Sequence, residues 1–184
     1  RFKASQVDGI IIIAHESDKK TTCGKYLQEL SEMGIPIVLS GRKIEGLSVD
    51  MITLDNIKAS TLAVNHLIDI GHNSIALING PENAFSANER QKGYEKALLE
   101  HHILINKDLI QNTDFTREGG YQSAKALLTK NITAIFATND LMAIGSMLAI
   151  EEKGLKIPDN IAVIGIDDIP FASTDSVSLS TVKQ

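Results

Sequence analysis

The stretch from Ala134 to Asp168 constrains the fold of this chain more than any other. It holds two short apolar runs, AIFA and IAVIGI, separated by a segment of helical length. Neither run alternates apolar with polar residues, which predicts strands that are covered on both faces. Strands of that kind occur in parallel sheets with helices packed on each side. The stretch therefore predicts a β-α-β unit.

The same alternation of apolar runs and helical patterns extends along the whole chain. A helical pattern over 22–34 stops at Gly34 with Pro36 just beyond, and a second over 56–70 stops at Gly71. This order of elements predicts an α/β fold of doubly wound parallel sheets. The predicted strands lie near 8–14, 36–40, 50–54, 74–79, 108–113, 133–138 and 161–166, with a last strand from Ser178 to Lys183.

Two of these strands break the rhythm and predict a second lobe. The strands at 36–40 and 50–54 follow each other with no obvious helix between them, as expected where a chain leaves one sheet and enters another. We place this crossing near Asp55-Asn56, and a second one in the Ser-, Thr- and Asp-rich segment from Phe171 to Val177. The prediction is an amino-terminal lobe of residues 1–54 with 177–184, a carboxy-terminal lobe of residues 55–176, and a hinge between them.

Composition excludes several functional classes. The chain has 184 residues, 43% of them hydrophobic and 22% charged, which is typical of a globular protein, and no apolar run long enough to span a bilayer. Its net charge of −5, with 18 scattered Lys and Arg residues, argues against nucleic-acid binding by this chain. The single cysteine, Cys23, excludes an internal disulfide and favours a reducing compartment, so we predict a cytoplasmic protein.

Polar residues follow two of the buried strands directly. Asn139 and Asp140 follow the run AIFAT, and Asp167 ends the run IAVIGID. Because ligands bind at the carboxyl ends of parallel strands, we predict that Asn139 and Asp167 contact a ligand. The alternative for Asn139 and Asp140 is a helix-capping role, which we favour for Asp140.

An arginine lies in an unusual place after the predicted strand at 74–79. Ser86 to Glu89 matches a capping box, which predicts that Ser86 caps a helix and that Arg90 lies in its first turn. The helix dipole disfavours a cation there, so a ligand-binding role for the guanidinium is one explanation. The alternative is a solvated arginine paired with Glu89 or Glu95.

Phe115 is the aromatic residue that this pattern singles out. It follows the strand at 108–113, in a loop at the same predicted edge, and aromatic residues make up only 4% of the chain. Its ring could stack on a sugar or base. The alternative is that it packs on an apolar neighbour at the start of the next helix.

No catalytic residue, metal site or cofactor is predicted. The sequence lacks GxGxxG and GxxxxGK[ST] phosphate loops, a GxSxG elbow and an HExxH motif. Asp167-Asp168 could hold Mg²⁺, but a phosphate cradle is not evident. His66 and His72 have no further ligands in view that could complete a metal site. An enzyme that uses Asp167 and Asp168 is a distant third hypothesis.

A series of motifs covers almost the whole chain in a familiar order. They are VDGIII at Val7, GIPIVLSGR at Gly34, ITLDN, HLIDIGHNSIALINGP, RQKGYEKAL at Arg90, TNDLMAIG at Thr138 and PDNIAVIGIDD at Pro158. In these the chain resembles the effector-binding core of lactose-repressor-type (LacI/GalR) bacterial transcription regulators, which share the fold of type I periplasmic sugar-binding proteins.

The resemblance implies a ligand site. It implies that Arg90, Asn139 and Asp167 hydrogen-bond an effector, that Phe115 stacks against it and that Ser86 lies in the same rim. In the amino-terminal lobe, Gly41 stands before Arg42 where the family commonly has an aspartate, which removes an acceptor for sugar hydroxyls. Ile13 to His15 are further candidate contacts from that lobe.

The resemblance also implies the partners. The family's helix-turn-helix and hinge helix do not occur in this chain, and we expect both lobes to be incomplete. The prediction is an effector-sensing domain that binds a sugar or related polar metabolite, reaches operator DNA only through an absent domain, has no membrane partner and forms a homodimer. The alternative is a periplasmic or lipid-anchored sugar-binding protein of a transporter, which a signal peptide in place of a helix-turn-helix would identify.

Overall fold

The chain folds into two units, each with its own parallel sheet. The computed structural model describes residues 7–13, 22–41, 48–174 and 177–184. Contacts within the chain divide it into residues 1–54 and residues 55–184. No helix in the described parts of the chain is long and apolar enough to cross a membrane.

The first unit is a three-stranded parallel sheet with one helix between its first two strands. β1 (Ile10–Ile13), β2 (Ile37–Ser40) and β3 (Asp50–Ile52) lie side by side in that order, and α1 (Thr22–Glu32) connects β1 to β2. The turn after α1 uses Gly34 at a φ of +74°, a conformation that costs glycine little. A small core of buried side chains joins helix to sheet, namely Ile10, Leu27, Leu30, Ile37 and Leu39.

The second unit is a five-stranded parallel sheet in the order β5-β4-β6-β7-β8. Its strands are β4 (Ile75–Asn79), β5 (Ile110–Asn112), β6 (Ala134–Ala137), β7 (Ala162–Asp167) and β8 (Ser180–Lys183). Its helices are α2 (Asn56–Asp69), α3 (Phe85–Glu100), α4 (Arg117–Leu127) and α5 (Asp140–Glu152).

Helices cover both faces of this second sheet, which explains why its central strands are apolar throughout. Successive side chains of β4 point to opposite faces. Ile75 and Leu77 join a core with residues of α2 and α3, while Ala76 and Ile78 join a second core with residues of α4 and α5. The predicted α/β fold with doubly wound parallel sheets is confirmed.

The last strand lies in a different sheet from the one predicted. β8 pairs with β7 in parallel, from Ile164 opposite Ser180 to Asp167 opposite Lys183, so residues 177–184 belong to the second unit and not to the amino-terminal lobe. The predicted second crossing, Phe171 to Val177, is therefore a loop that returns to the same sheet, although residues 175–176 lie outside the described part. Its composition indicates a loop but not the sheet that the next strand joins.

Candidate ligand site at the carboxyl edge of the second sheet

The connections of the second sheet diverge between β4 and β6. The chain leaves β4 through α3 to β5 on one side, then crosses through α4 to β6 on the other side of β4. Such a switch point leaves a crevice at the carboxyl ends of the strands, where ligands of parallel α/β proteins bind. The residues predicted to bind ligand from the carboxy-terminal lobe lie in segments that border this edge, namely Ser86, Arg90, Phe115, Asn139 and Asp167.

Arg90 projects from α3 to the switch point. Its side chain is buried, at 7% exposure, and its Nη1 donates to the carbonyl of Thr138, the residue that follows β6. Its Nε donates to Oδ1 of Asn56 over 2.9 Å, and its Nη2 lies 3.7 Å from Oδ1 of Asp167. A solvated arginine, the alternative considered above, is inconsistent with this burial.

The start of α3 corrects the predicted capping box. Phe85 is the first helical residue and Ala84 is the cap, with no side-chain cap hydrogen bond, so Ser86 is the second residue of the helix. A backbone hydrogen bond from Ala84 N to Pro81 O closes the turn that starts the helix early. Arg90 therefore lies in the second turn and not in the first. Ser86 is half-buried one turn before Arg90, on the same face of α3.

Asn139 and Asp140 have the opposite capping roles from those we favoured. Asn139 is the cap of α5: its Oδ1 accepts from Met142 N over 2.8 Å, and its Nδ2 donates to the carbonyl of Phe115 over 3.0 Å. Asp140 is the first helical residue and is completely buried. Asn139 is buried, at 8% exposure, and its amide fixes the loop that carries Phe115.

Phe115 is half-buried beside the end of β4. Its backbone has a φ of +64°, and its ring packs against the core under α4 and α5. A Cβ built on Gly80 would overlap this ring, so the absence of a side chain at Gly80 lets the ring lie directly over the backbone. The packing role considered as an alternative is therefore present, and the ring also borders the carboxyl edge.

Asp167 ends β7 and has an unusual backbone and environment. Its φ is +131° and that of Asp168 is +59°, both in a region that side chains rarely adopt and that occurs preferentially at functional sites. The pKa of the Asp167 carboxyl is raised to about 6, because burial and the charge of Asp140 together raise it more than the charge of Arg90 and a hydrogen bond from Gln184 lower it. Its neighbour Asp168 pairs with Lys183 over 3.2 Å.

Three polar residues of this edge were not predicted from the sequence to contribute to the site. They are Asn56, which accepts from Arg90; Asp140, whose carboxylate accepts from Ile169 N over 3.0 Å and from Thr181 Oγ1 over 2.5 Å; and Gln184, which donates to Asp167. Asp140 and Asn56 are both buried, but each has an ordinary sequence signal for a helix start. Their burial is a tertiary property that no local pattern reports.

The contacts predicted from the amino-terminal lobe belong to the first unit. Gly41 follows β2 at a φ of +107°, and Ile13 is the exposed last residue of β1. Arg42, Ala14 and His15 lie outside the described residues. Within the described ranges, no three His, Cys, Asp or Glu side chains converge on a possible metal position.

The arrangement suits recognition of hydroxyl-bearing molecules. A guanidinium that only donates and a carboxylate that accepts when ionised lie side by side at one edge, with an aromatic ring at the same edge. Donors and acceptors fixed in this way orient a polyol, while the ring covers its apolar face.

Comparison with known proteins agrees with the fold. A family model described as "Periplasmic binding proteins and sugar binding domain of LacI family" matches residues 1–183. The chain belongs to this family.

The curated relatives and solved structures are consistent with that membership. The probable HTH-type transcriptional repressor ExuR of Bacillus subtilis (strain 168) is 38% identical over 179 residues, covering 96% of this chain and 53% of the relative. This chain thus spans about half the length of such relatives.

Solved structures of similar proteins cover the whole chain. A regulatory protein of the LacI family from Chloroflexus aggregans superposes with a TM-score of 0.89 at 30% identity, over 100% of this chain and 65% of that one. A LacI family transcriptional regulator from Enterococcus faecium with bound ribose gives a TM-score of 0.85 at 31% identity, over 100% and 67% of the two chains.

Proposed function

We propose that this chain is the effector-sensing part of a cytoplasmic transcription repressor and that it binds a small polar ligand, a sugar or a close relative of one. The observation that carries the proposal is the buried Arg90 beside Asp167 at the switch point of the sheet, 3.7 Å apart. In this proposal Arg90, Asn139 and Asp167 hydrogen-bond the effector, Phe115 stacks on it and Ser86 lines the rim.

The names of similar proteins support the sugar class. One related structure contains ribose, and another is a complex of the regulator CelR with cellobiose. Ribose and cellobiose both carry several hydroxyl groups, which the paired donor and acceptor of this edge could recognise. The whole protein is proposed to be non-enzymatic, because its relatives carry the names of transcriptional regulators.

The proposed partners of the whole protein are operator DNA and a second copy of itself. A net charge of −5 makes this chain a poor match for phosphates, so DNA binding is assigned to a separate helix-turn-helix. A ligand that prefers one arrangement of a repressor dimer shifts the population towards that arrangement and thereby changes its affinity for DNA.

A second candidate function is a periplasmic or lipid-anchored sugar-binding protein of a transporter. It is favoured by the family model, whose description includes periplasmic binding proteins. The sequence upstream in the gene discriminates: a helix-turn-helix supports the repressor, and a signal peptide supports the transporter component.

The experiment that tests the site starts with a thermal-shift screen of the full-length protein. Neutral and acidic monosaccharides and disaccharides, ribose and cellobiose among them, are compared at several concentrations, since stabilisation grows with the ratio of ligand concentration to Kd. Calorimetry then measures the Kd of the best ligand for the wild type and for Arg90→Ala. We expect the variant to lose about 1.5–3 kcal/mol of binding free energy, the range for hydrogen bonds to charged groups.

Lys96→Ala is the matched control on the same helix. Lys96 is exposed and pairs with Glu100 over 3.8 Å, so its removal also deletes a positive charge from α3. We expect this variant to bind like the wild type. An unchanged Kd in Arg90→Ala would contradict the site assignment.

A further inference from the structure

Asn56 holds the guanidinium of Arg90 through a hydrogen bond between their side chains. It is the first residue of α2, it is 7% exposed, and its Oδ1 accepts from Arg90 Nε over 2.9 Å. The helix does not need this side chain as a cap, because Asp55 fills that position and accepts from Lys58 N over 2.9 Å. The Asn56 side chain therefore orients a residue on another helix and does not serve as the cap of its own.

The distance between Arg90 and Asp167 needs an explanation. A guanidinium and a carboxylate that meet freely form paired hydrogen bonds of about 2.7–2.9 Å. Here Nη2 and Oδ1 are 3.7 Å apart, although the two groups face each other in a partly buried site. A closed pair would occupy the very N–H groups and oxygens that a polar ligand requires.

Two acceptors hold the guanidinium in its open position. Asn56 accepts from Nε and the Thr138 carbonyl accepts from Nη1, so two of the three nitrogens are fixed by groups other than Asp167. The carbonyl belongs to the backbone after β6, so no side-chain substitution deletes it. Asn56 is the one of these two acceptors that a substitution can remove.

We infer that Asn56 is a positioning residue that holds the Arg90 guanidinium at the switch point, short of a closed pair with Asp167. The functional meaning of this inference rests on the proposed effector site. Its geometric content, the open distance between the two charged groups, does not depend on a ligand.

The test is a titration of Asp167 by NMR in full-length protein labelled with ¹³C in the aspartate carboxyls, without added ligand. The Asp167→Asn variant identifies the signal. Asn56→Leu is similar in shape but cannot accept a hydrogen bond, so Nε of Arg90 loses the acceptor that holds it away from Asp167. We expect the Asp167 pKa to fall by about 1–3, the usual effect of an adjacent arginine. Arg90→Ala removes that positive charge and should raise the pKa instead.

The other groups that influence the Asp167 pKa are not altered in these variants. Asp140 on α5 raises the Asp167 pKa, Gln184 after β8 lowers it, and Asp168 is paired with Lys183 on β8. In the double variant of Asn56→Leu and Arg90→Ala, the pKa should equal that of Arg90→Ala alone, because Asn56 acts only through Arg90. Asn56→Asp keeps an acceptor at this position and should prevent the fall.

Thr61→Val is the matched control. The Thr61 hydroxyl also joins α2 to α3, through a hydrogen bond to Gly93 O, and it donates to Ile57 O within α2; neither bond involves Arg90. Loss of the Thr61 hydroxyl should leave the Asp167 pKa unchanged. If Asn56→Leu does not fold, Asn56→Ala takes its place in the titration. An Asp167 pKa that stays constant or rises when Asn56 loses its acceptor would overturn the inference. Failure to find any sugar that binds would count against the proposed function only.

Discussion

At the scale of the residue, Asp167 combines three features that normally oppose stability. It has a positive φ, a partly buried carboxylate and a neighbouring buried aspartate, Asp140. Arg90 offsets only part of the resulting electrostatic cost, because burial and Asp140 together leave the pKa of Asp167 at about 6. Strained backbone and a shifted carboxyl pKa occur preferentially at functional sites, which supports the proposed ligand site.

The raised pKa of Asp167 predicts a specific pH dependence of stability. The folded state keeps a proton that the unfolded state releases near its ordinary pKa of 3.8, so protonation of Asp167 stabilises the fold at low pH. This contribution is complete below about pH 4 and is lost as the pH rises through about 6. Urea unfolding of the wild type and of Asp167→Asn, followed by circular dichroism from pH 4 to 7, measures it.

The effect of the Asp167 carboxyl is measured as a difference in unfolding free energy between the wild type and Asp167→Asn. The unfolding free energy of the wild type minus that of Asp167→Asn should decrease as the pH rises through this window, since the amide does not titrate. A difference that is constant or increases with pH would show that the carboxyl is not held in its neutral form by the fold.

At the scale of the element, the amino end of α5 joins three parts of the second sheet. Asn139 caps the helix and holds the Phe115 loop, while the buried Asp140 carboxylate accepts from Ile169 N, after β7, and from Thr181 on β8. Gly165 of β7 makes room for that carboxylate, because a Cβ there would overlap Asp140 Oδ1. Two adjacent residues thus position the loops that border the candidate site.

We predict that Asp140→Ala destabilises the chain by about 1.5–3 kcal/mol, since it leaves two partly buried donors without their charged acceptor. Urea unfolding at neutral pH measures the loss. Asp140→Asn keeps one acceptor oxygen and should cost less than the alanine variant. Asp159→Ala, at an exposed position, is the control and should unfold like the wild type. Equal stability of Asp140→Ala and the wild type would contradict this role.

At the scale of the whole molecule, the two units differ in how much core they contain. Residues 55–184 enclose two extensive clusters of buried apolar side chains, one on each face of a five-stranded sheet, whereas the described part of residues 1–54 has one small cluster. Because buried apolar area is the main favourable term in folding, stability should reside in the second unit.

A chain of residues 55–184 is therefore predicted to fold alone and to unfold in one cooperative transition, as small single domains do. Far-ultraviolet circular dichroism during urea unfolding measures it. A chain of residues 55–177 is the comparison. It lacks β8, so the edge of β7 is exposed and the packing of the Val182 side chain against the core is lost. This shorter chain should be less stable. Equal stability of the two would contradict the placement of β8 in the second sheet.

Much of the fold was determined by local patterns that the sequence states directly. Apolar runs without alternation, such as AIFA, require cover on both faces, and Gly34 and Gly71 end helices where the pattern stops. These signals predicted the elements and the doubly wound class because they depend on residues close together in the chain. Positions of Arg90, Asn139 and Asp167 near one edge followed from the rule that parallel strands end at a common side.

Only the tertiary structure decided which elements and side chains meet. β8 joined the sheet of β7 through ladder hydrogen bonds, which the loop composition before it did not specify. The helix start at Phe85, the exchange of roles between Asn139 and Asp140, and the hydrogen bond from Arg90 to Asn56 likewise depend on partners far away in the chain. The sequence alone determines local conformation and burial preference, whereas the pairing of distant polar groups depends on packing, because their hydrogen bonds form only where the folded core brings them together.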